Sequence, residues 1–313
     1  MRDAQASRIS FSHFFKFSII GYVFMAGLTA IFNRYSTLFQ ISPLVVTLTF
    51  FLVGPVIVII ILSLWKFDGF LTLEGVWTFR NYERIFTRSL TIHNYLETAK
   101  LLAITMAATL VLGFTLAYFL VFDIIKLRTK MLLFLLCVVP FWTSAVIRTV
   151  AWIPFLGKEG IINKAVIFIG ISDKSLEFLL FSEFAVLLSY IQIFTLFMMA
   201  PLFNVMARIN TDLIEAARDA GASSIQILWN IILPLCKPGI AIGAIFVIAL
   251  VASDFTVIRI LGGAKVGTVA ASMANQIYNF QYPPAAATAL ILLLAVLLLV
   301  GGIMRLVDVR KQL

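Results

Sequence analysis

The stretch Ala285–Met304 reads AAATALILLLAVLLLVGGIM and contains no charged residue. A helix rises 1.5 Å per residue, so about 20 mostly apolar residues are enough to cross the hydrocarbon core of a bilayer. Three more uncharged runs reach this length, and they are Pro43–Leu64, Leu101–Phe122 and Phe184–Met206. These four runs predict membrane-spanning helices.

Two further apolar stretches are interrupted by charge. Met131–Leu156 contains Arg148, and Pro238–Leu261 contains Asp254 and Arg259. Counting both as spans, we expect an all-α membrane protein with six core transmembrane helices.

The N-terminal segment is harder to assign. Phe17–Phe32 is uncharged but short, and it contains Gly21 and Gly27. We interpret it as an interfacial or partly inserted helix, with a seventh span as the alternative. The predicted organisation is therefore a segment 1–42, cytoplasmic or interfacial, followed by a transmembrane domain 43–313.

Composition agrees with a membrane location. Of the 313 residues, 62% are hydrophobic and 12% are charged, against about 45–50% and about 25% in soluble domains. The net charge of +9 reflects Lys and Arg in loops rather than a nucleic-acid partner. The loop Lys126–Lys130 is basic, which predicts that both termini and the segment Arg208–Lys237 face the cytoplasm.

The sequence offers no catalytic or metal-binding pattern. The nearest approach to a phosphate-binding loop, Gly262–Lys265, lacks the required spacing and hydroxyl. His13 and His93 lie far apart, and Cys137 and Cys236 have no paired spacing. We therefore expect no cofactor, no metal site and no enzymatic activity of the chain's own.

The cytoplasmic segment has a distinctive pattern. Residues 212–221 read DLIEAARDAG, and nine residues later comes IILP at 231–234. Asp212 with Glu215 suits a helix N-cap and its reciprocal partner, and Gly221 suits the left-handed position that ends a helix. This predicts a first short helix with a bare face at Ala216 and Ala217.

A second short helix is expected to follow at an angle. Ser223 or Ser224 caps Ile225–Ile232, and Pro234 and Pro238 stop it. The i, i+3, i+7 spacing places Ile225, Leu228 and Ile232 on one face. A loop that merely packs on its own chain is the alternative to a surface that binds a partner.

This pattern resembles the signature of permease subunits in binding-protein-dependent ABC importers. The matching residues are Glu215-Ala216-Ala217, then Gly221 after three residues, then Ile231, Leu233 and Pro234. The resemblance implies the type I importer permease fold, with this segment as the coupling helix that docks on an ATPase, and with Glu215 and Arg218 as candidate polar contacts. It also implies two ABC ATPase subunits, a second permease (identical or homologous), a periplasmic substrate-binding protein and a location in the bacterial inner membrane.

Two more stretches look like the spermidine/putrescine branch of these permeases. Residues 140–152 read PFWTSAVIRTVAW, and Asp254-Phe255 precedes Leu261-Gly262-Gly263. Arg259 departs from that branch, where the intervening residues are usually uncharged. The resemblance implies a polyamine substrate; an amino-acid-like or anionic solute, or an ion-coupled carrier, are the alternatives.

Four residues are candidates for the translocation pathway: Trp142, Arg148, Trp152 and Asp254. Counted from Met131 and Pro238, Arg148 and Asp254 lie at about 26 and about 24 Å along straight helices. A charge at the bilayer centre is unfavourable by about 2.5–3.5 kcal/mol, so an ion pair lining the pathway is one interpretation. The others are a structural pair, or Arg148 reaching the outer headgroups; both tryptophans also suit interfacial anchors.

Overall fold

The structure is a computed structural model that describes residues 40–67 and 74–307. The segment Phe17–Phe32 lies outside the described residues. The chain divides into two units, 1–59 and 60–313.

The described part is almost entirely helical. Two short strands, β1 (Trp65–Lys66) and β2 (Glu74–Trp77), pair antiparallel. The helices are α1 (Gln40–Ser63), α2 (Arg80–Thr87), α3 (Ser89–Asp123), α4 (Leu127–Trp142), α5 (Ala145–Val150), α6 (Ile153–Leu156), α7 (Ile161–Phe168), α8 (Glu183–Met206), α9 (Thr211–Asp219), α10 (Ser224–Leu235), α11 (Lys237–Ser253), α12 (Thr256–Leu261), α13 (Val269–Tyr278) and α14 (Tyr282–Leu306).

Four helices are long and apolar enough to cross a membrane: α1, α3, α8 and α14. Two bent pairs also qualify, which gives up to six spans within the described part of the chain. The expected all-helical membrane architecture is confirmed. α3 begins at Ser89 rather than at Leu101, so its first turns are helical although they lie outside the apolar run.

The continuous span expected over Met131–Leu156 was wrong. The helix tightens into a 3₁₀ turn at Val139–Trp142, Thr143 and Ser144 are extended, and the chain bends by 93° before α5. Pro140 sits in that 3₁₀ turn, where its missing N–H removes one helical hydrogen bond. The straight-helix depth of Arg148 therefore does not hold.

The span expected over Pro238–Leu261 is also interrupted. α11 ends at Ser253, Asp254 is extended, and α12 starts at Thr256. The Asp254 carboxylate accepts from the Val257 backbone N–H at 3.0 Å, a local bond that competes with continuing the helix. Before α11, the chain turns by 64° after α10.

The core is built by α3, α8 and α11 around Met198. A Cβ on Gly113 of α3 would lie 3.0 Å from Met198 Cγ, and one on Gly243 of α11 would lie 2.6 Å from its Sδ. Small residues allow helices in lipid to approach closely, where dispersion contacts supply the stabilisation. The three helices therefore pack closely around this side chain.

Contacts between these helices define two ends of the bundle. At one end, Lys100 of α3 bonds Glu183 of α8 at 2.9 Å. At the other, the start of α11 meets the end of α8, where a Cβ on Gly239 would lie 3.1 Å from the Pro201 carbonyl oxygen. This second end leads directly into α9 and α10, and we call it the α9 end; the first is the distal end.

Candidate functional site

The predicted coupling segment begins with a different cap from the one expected. The N-cap of α9 is Asn210, whose Oδ1 accepts from the Asp212 backbone N–H at 3.0 Å. Asp212 was predicted to be the cap and lies instead in the first turn. Asn is among the best N-caps, and an acidic residue in the first turn interacts favourably with the helix dipole.

The end of α9 is a Schellman motif. Gly221 has φ +85°, its N–H bonds the Arg218 carbonyl, and the Ala222 N–H bonds the Ala217 carbonyl, both at 2.9 Å. This geometry satisfies two carbonyls that the helix end would otherwise leave open. The left-handed conformation predicted for Gly221 is present.

α10 is capped as expected but shaped differently. Ser223 and Gln226 form a reciprocal capping box. The middle of the helix, Leu228–Ile232, is a π-helix, and the chain passes through Pro234 without stopping. A wider π turn accommodates a proline that would clash with the carbonyl four residues earlier in an α-helix.

The predicted face of α10 was wrong in consequence. Ile225 is 70% exposed, whereas Ile227 and Ile232 are 3% and 2% exposed. Residues five apart share a face across a π turn, so the α-helical spacing used for the prediction did not apply. The sequence signal that locates the break is Pro234 itself.

Apart from Gly221, the residues predicted to couple to an ATPase divide into two groups. Glu215, Ala216 and Arg218 are exposed, and Ala217 is half-buried beside the buried Ile214. The remaining residues of the signature, Ile231, Leu233 and Pro234, are half-buried in α10. The first group is mostly exposed, and the second packs partly inside the protein.

A groove of ≈ 790 Å³ opens at the α9 end, between the end of α8 and the start of α11. Its lining is mostly apolar, with three polar side chains: Asn204, Arg208 and Asn210. None of the four predicted pathway residues lines it. Sequence reasoning missed Asn204, although a polar residue inside an apolar span is a usable signal.

The predicted pathway charges do not pair with each other. Asp254 Oδ2 accepts from the Tyr190 hydroxyl at 3.1 Å and from the Val257 N–H. The Arg148 guanidinium lies 5.8 Å from the centre of the Phe141 ring. Neither Arg148 nor Asp254 forms an ion pair within the described ranges. This holds although α5, which carries Arg148, contacts α12, which follows Asp254.

Arg148 is left with an unsatisfied donor. Its Nε is buried and has no hydrogen-bond partner in the part of the chain that the structure describes. A buried, charged donor without a partner is unfavourable. The position therefore suits a hydrogen-bond acceptor from a ligand or from another chain.

The two tryptophans differ in environment. Trp142 is 76% exposed. Trp152 is half-buried, and its Nε1 donates to Gln192 Oε1 at 2.8 Å. Gln192, in the middle of α8, is a second polar residue that sequence reasoning missed. In the described residues, 40–67 and 74–307, no cluster of three His, Cys, Asp or Glu side chains suits a metal ion.

Comparisons with known proteins match most of the chain. A family model described as "Binding-protein-dependent transport system inner membrane component" matches residues 110–312. The Escherichia coli K12 protein "Spermidine/putrescine transport system permease protein PotB" is 34% identical over 261 residues, covering 83% of this chain and 92% of that protein. "Inner membrane ABC transporter permease protein YdcU", also of Escherichia coli K12, is 26% identical over 266 residues, covering 77% and 84%.

The fold also matches a solved structure. A chain of a bacterial ABC transporter for import of the acidic polysaccharide alginate superposes with a TM-score of 0.74 at 18% identity, covering 89% of this chain and 97% of that one.

Proposed function

Because this chain belongs to the family of binding-protein-dependent transport system inner membrane components, we propose that it is the permease subunit of an ATP-driven polyamine importer. Family membership carries the permease role. The substrate rests on the relatives at 33–34% identity, which are spermidine/putrescine permeases.

One structural observation supports coupling to an ATPase: α9 is capped at both ends and exposes Glu215, Ala216 and Arg218. A docked helix transmits motion only if it is rigid, and the Asn210 cap and the Schellman motif supply that rigidity. The small Ala216 lets a partner surface approach closely. Movement of the ATPase subunits then reaches α8 and α11 through the α9 end.

The same role requires partners. We propose two ABC ATPase subunits, a second permease with its own coupling helix, and a periplasmic binding protein. One solved neighbour is an alginate transporter in complex with a periplasmic protein, which supports this kind of assembly. The α9 end is then cytoplasmic, as are both termini, and the distal end faces the periplasm.

We propose that the substrate pathway has two parts along the helix bundle. The groove beside Asn204 and Arg208 lies at the α9 end, and Trp152, Arg148 and Asp254 lie beyond it. Asp254 offers negative charge to a cationic solute, while its bonds to Tyr190 and Val257 hold it in place. The Trp152–Gln192 pair supplies an aromatic face and an amide along the way.

Arg148 favours a second candidate. Its buried Nε lacks a partner among the described residues, and a carboxylate on the solute would satisfy it. A zwitterionic or acidic solute is therefore the alternative to a polyamine.

Substrate binding by the cognate periplasmic protein separates the two. The purified binding protein is titrated calorimetrically with putrescine, spermidine and acidic amino acids, and uptake is then measured in proteoliposomes that contain the whole transporter. Polyamine binding and ATP-dependent polyamine uptake support the proposal. Binding of acidic solutes alone would transfer it to the second candidate, and uptake without ATP would overturn the importer role.

A further inference from the structure

A small polar pocket lies at the distal end, between α2 and the turn that joins α13 to α14. It has a volume of ≈ 140 Å³ and is lined by Arg84, Arg88, Thr91, Gln276 and Gln281, among others. This is about the volume of four or five water molecules. A phosphate group is small enough for such a space.

The charge of the pocket is unbalanced. Arg84 and Arg88 contribute two guanidinium groups. None of the described residues that line the pocket carries a carboxylate, and neither arginine forms an ion pair within the described ranges. The planar donor fork of Arg matches phosphate oxygens in a bidentate geometry. The pocket therefore suits an anion.

A second observation points to a ligand with a donor next to its phosphate. Gln276 Oε1 is buried and has no hydrogen-bond partner within the part of the chain described. A buried acceptor left open is unfavourable. The glycerol hydroxyls of phosphatidylglycerol, or the ammonium of phosphatidylethanolamine, would provide the missing donor.

The pocket is also fixed in place. Asn81 Nδ2 donates to the carbonyls of Ser63 and Trp65, both at 2.9 Å. The Tyr82 and Ser63 hydroxyls are hydrogen-bonded at 2.7 Å. These bonds anchor α2 to the end of α1, so the backbone that carries Arg84 needs little ordering when a ligand binds.

The surroundings indicate that the phosphate comes from a lipid. Trp77, Phe79, Phe86 and Leu90 flank the pocket in sequence and are 65%, 76%, 68% and 69% exposed. Aromatic side chains beside the start of a membrane-spanning helix are typical of the headgroup level of a bilayer. Acyl chains would cover these side chains, whereas a soluble partner would have to bury them all.

From these observations we infer that the pocket of Arg84, Arg88 and Gln276 binds the phosphate of a phospholipid headgroup. The inference concerns a site separate from the transport pathway and does not depend on the identity of the solute.

The test is lipid retention by the full-length chain, purified within its transporter complex and examined by native mass spectrometry. Phosphatidylglycerol and phosphatidylethanolamine are added separately, with diacylglycerol, which lacks phosphate, as the control lipid. Wild type is expected to retain a phospholipid but not diacylglycerol. The double variant Arg84→Gln/Arg88→Gln is expected to lose retention by on the order of tenfold or more, because hydrogen bonds to charged groups are the strong ones.

Two further variants keep the result interpretable. Arg80→Gln removes an exposed arginine of α2 outside the pocket lining and is expected to retain lipid like wild type. Arg84→Lys/Arg88→Lys keeps the charge but not the planar fork, and intermediate retention is expected. Unchanged retention in the glutamine variant would overturn the inference, as would equal retention of diacylglycerol. Loss of binding-protein-stimulated ATP hydrolysis with lipid retention unchanged would assign the pocket to an acidic protein surface instead.

Discussion

The Tyr190 hydroxyl donates to Asp254 Oδ2 at 3.1 Å and thereby ties the middle of α8 to the break between α11 and α12. Tyr190 is 1% exposed, and the same carboxylate oxygen accepts from the Val257 N–H. Asp254 is thus oriented by two donors from two elements. Its carboxylate accepts a hydrogen bond from the first turn of α12, and Asp254 is also a candidate for the translocation pathway.

Tyr190→Phe removes the hydroxyl and keeps the ring. A hydrogen bond to a charged group contributes about 1.5–3 kcal/mol, so the free energy of unfolding in detergent is expected to fall by that order. Ser253→Ala is the control, because among the described residues the Ser253 hydroxyl donates only to carbonyls of its own helix. A phenylalanine variant as stable as the Ser253 variant would show that the Tyr190 bond contributes nothing.

Asp254→Asn separates geometry from charge. The amide oxygen of Asn keeps the acceptor for Tyr190 and Val257, so stability is expected to stay within about 1 kcal/mol of wild type. If the charge attracts a cationic solute, polyamine uptake in proteoliposomes should fall by about tenfold, the equivalent of 1.4 kcal/mol. Normal uptake by a stable Asn variant would remove Asp254 from the pathway.

The sequence predicted the membrane helices well because a spanning helix needs about 20 mostly apolar residues. Such an uncharged run can be recognised directly in a single sequence. The sequence also predicted the left-handed Gly221 and a serine cap at 223 or 224, of which the structure uses Ser223, because both features depend on local chemistry. It failed at Met131–Leu156 and at Asp254, where apolar runs continue through a change of direction. Those breaks follow from Pro140 and from the hydrogen bond between Asp254 and Val257. A prediction based on the apolar content of about 20 residues does not detect such single-residue features.

The hydrogen-bond partners of Asp254 and Trp152 could not be predicted from the sequence for a different reason. The Tyr190–Asp254 and Trp152–Gln192 contacts join residues far apart in sequence, and only the packing of α8 on its neighbours brings them together. The Arg148–Asp254 pair was inferred from depths along straight helices, and the 93° bend after α4 removed that premise.

Gly221→Ala tests the Schellman end of α9. No atom lies within 4 Å of an added Cβ, so the change introduces only the strain of φ +85°, roughly 1–2 kcal/mol for an L-residue. Stimulation of ATP hydrolysis by the loaded binding protein is expected to fall several-fold. Gly221→Asn is the matched control, since Asn tolerates this conformation, and it should remain near wild type. Equal activity in both variants would contradict a role for the rigid helix end.

Glu215→Lys reverses an exposed charge on α9 without disturbing the core. Glu215 forms no ion pair with any described residue, so membrane insertion and stability are expected to be unchanged. If Glu215 contacts the ATPase, copurification of the ATPase and uptake should both fall. Asp219→Lys, an equivalent reversal at the end of the same helix, measures the effect of charge alone. A Glu215 variant with full uptake would mean that this carboxylate is merely solvated.

Gly243→Ala tests whether the close approach of α8 and α11 is needed. The added methyl would lie 2.6 Å from Met198 Sδ and 3.1 and 3.2 Å from the Met198 Cα and carbonyl oxygen. The sulfur belongs to a flexible side chain, but the backbone atoms do not move aside as easily. Gly113 of α3 also lies close to this side chain, since a Cβ added there would lie 3.0 Å from Met198 Cγ.

The helices must therefore separate, and overpacking of this kind destabilises by about 1–3 kcal/mol. Gly301→Ala in α14 is the control, because no atom lies within 4 Å of its added Cβ and Ala favours a helix interior by about 0.8–1.0 kcal/mol over Gly. Thermal unfolding in detergent should rank the Gly301 variant at or above wild type and the Gly243 variant below it. If the two variants unfold together, the packing of α3, α8 and α11 around Met198 is looser than these distances require.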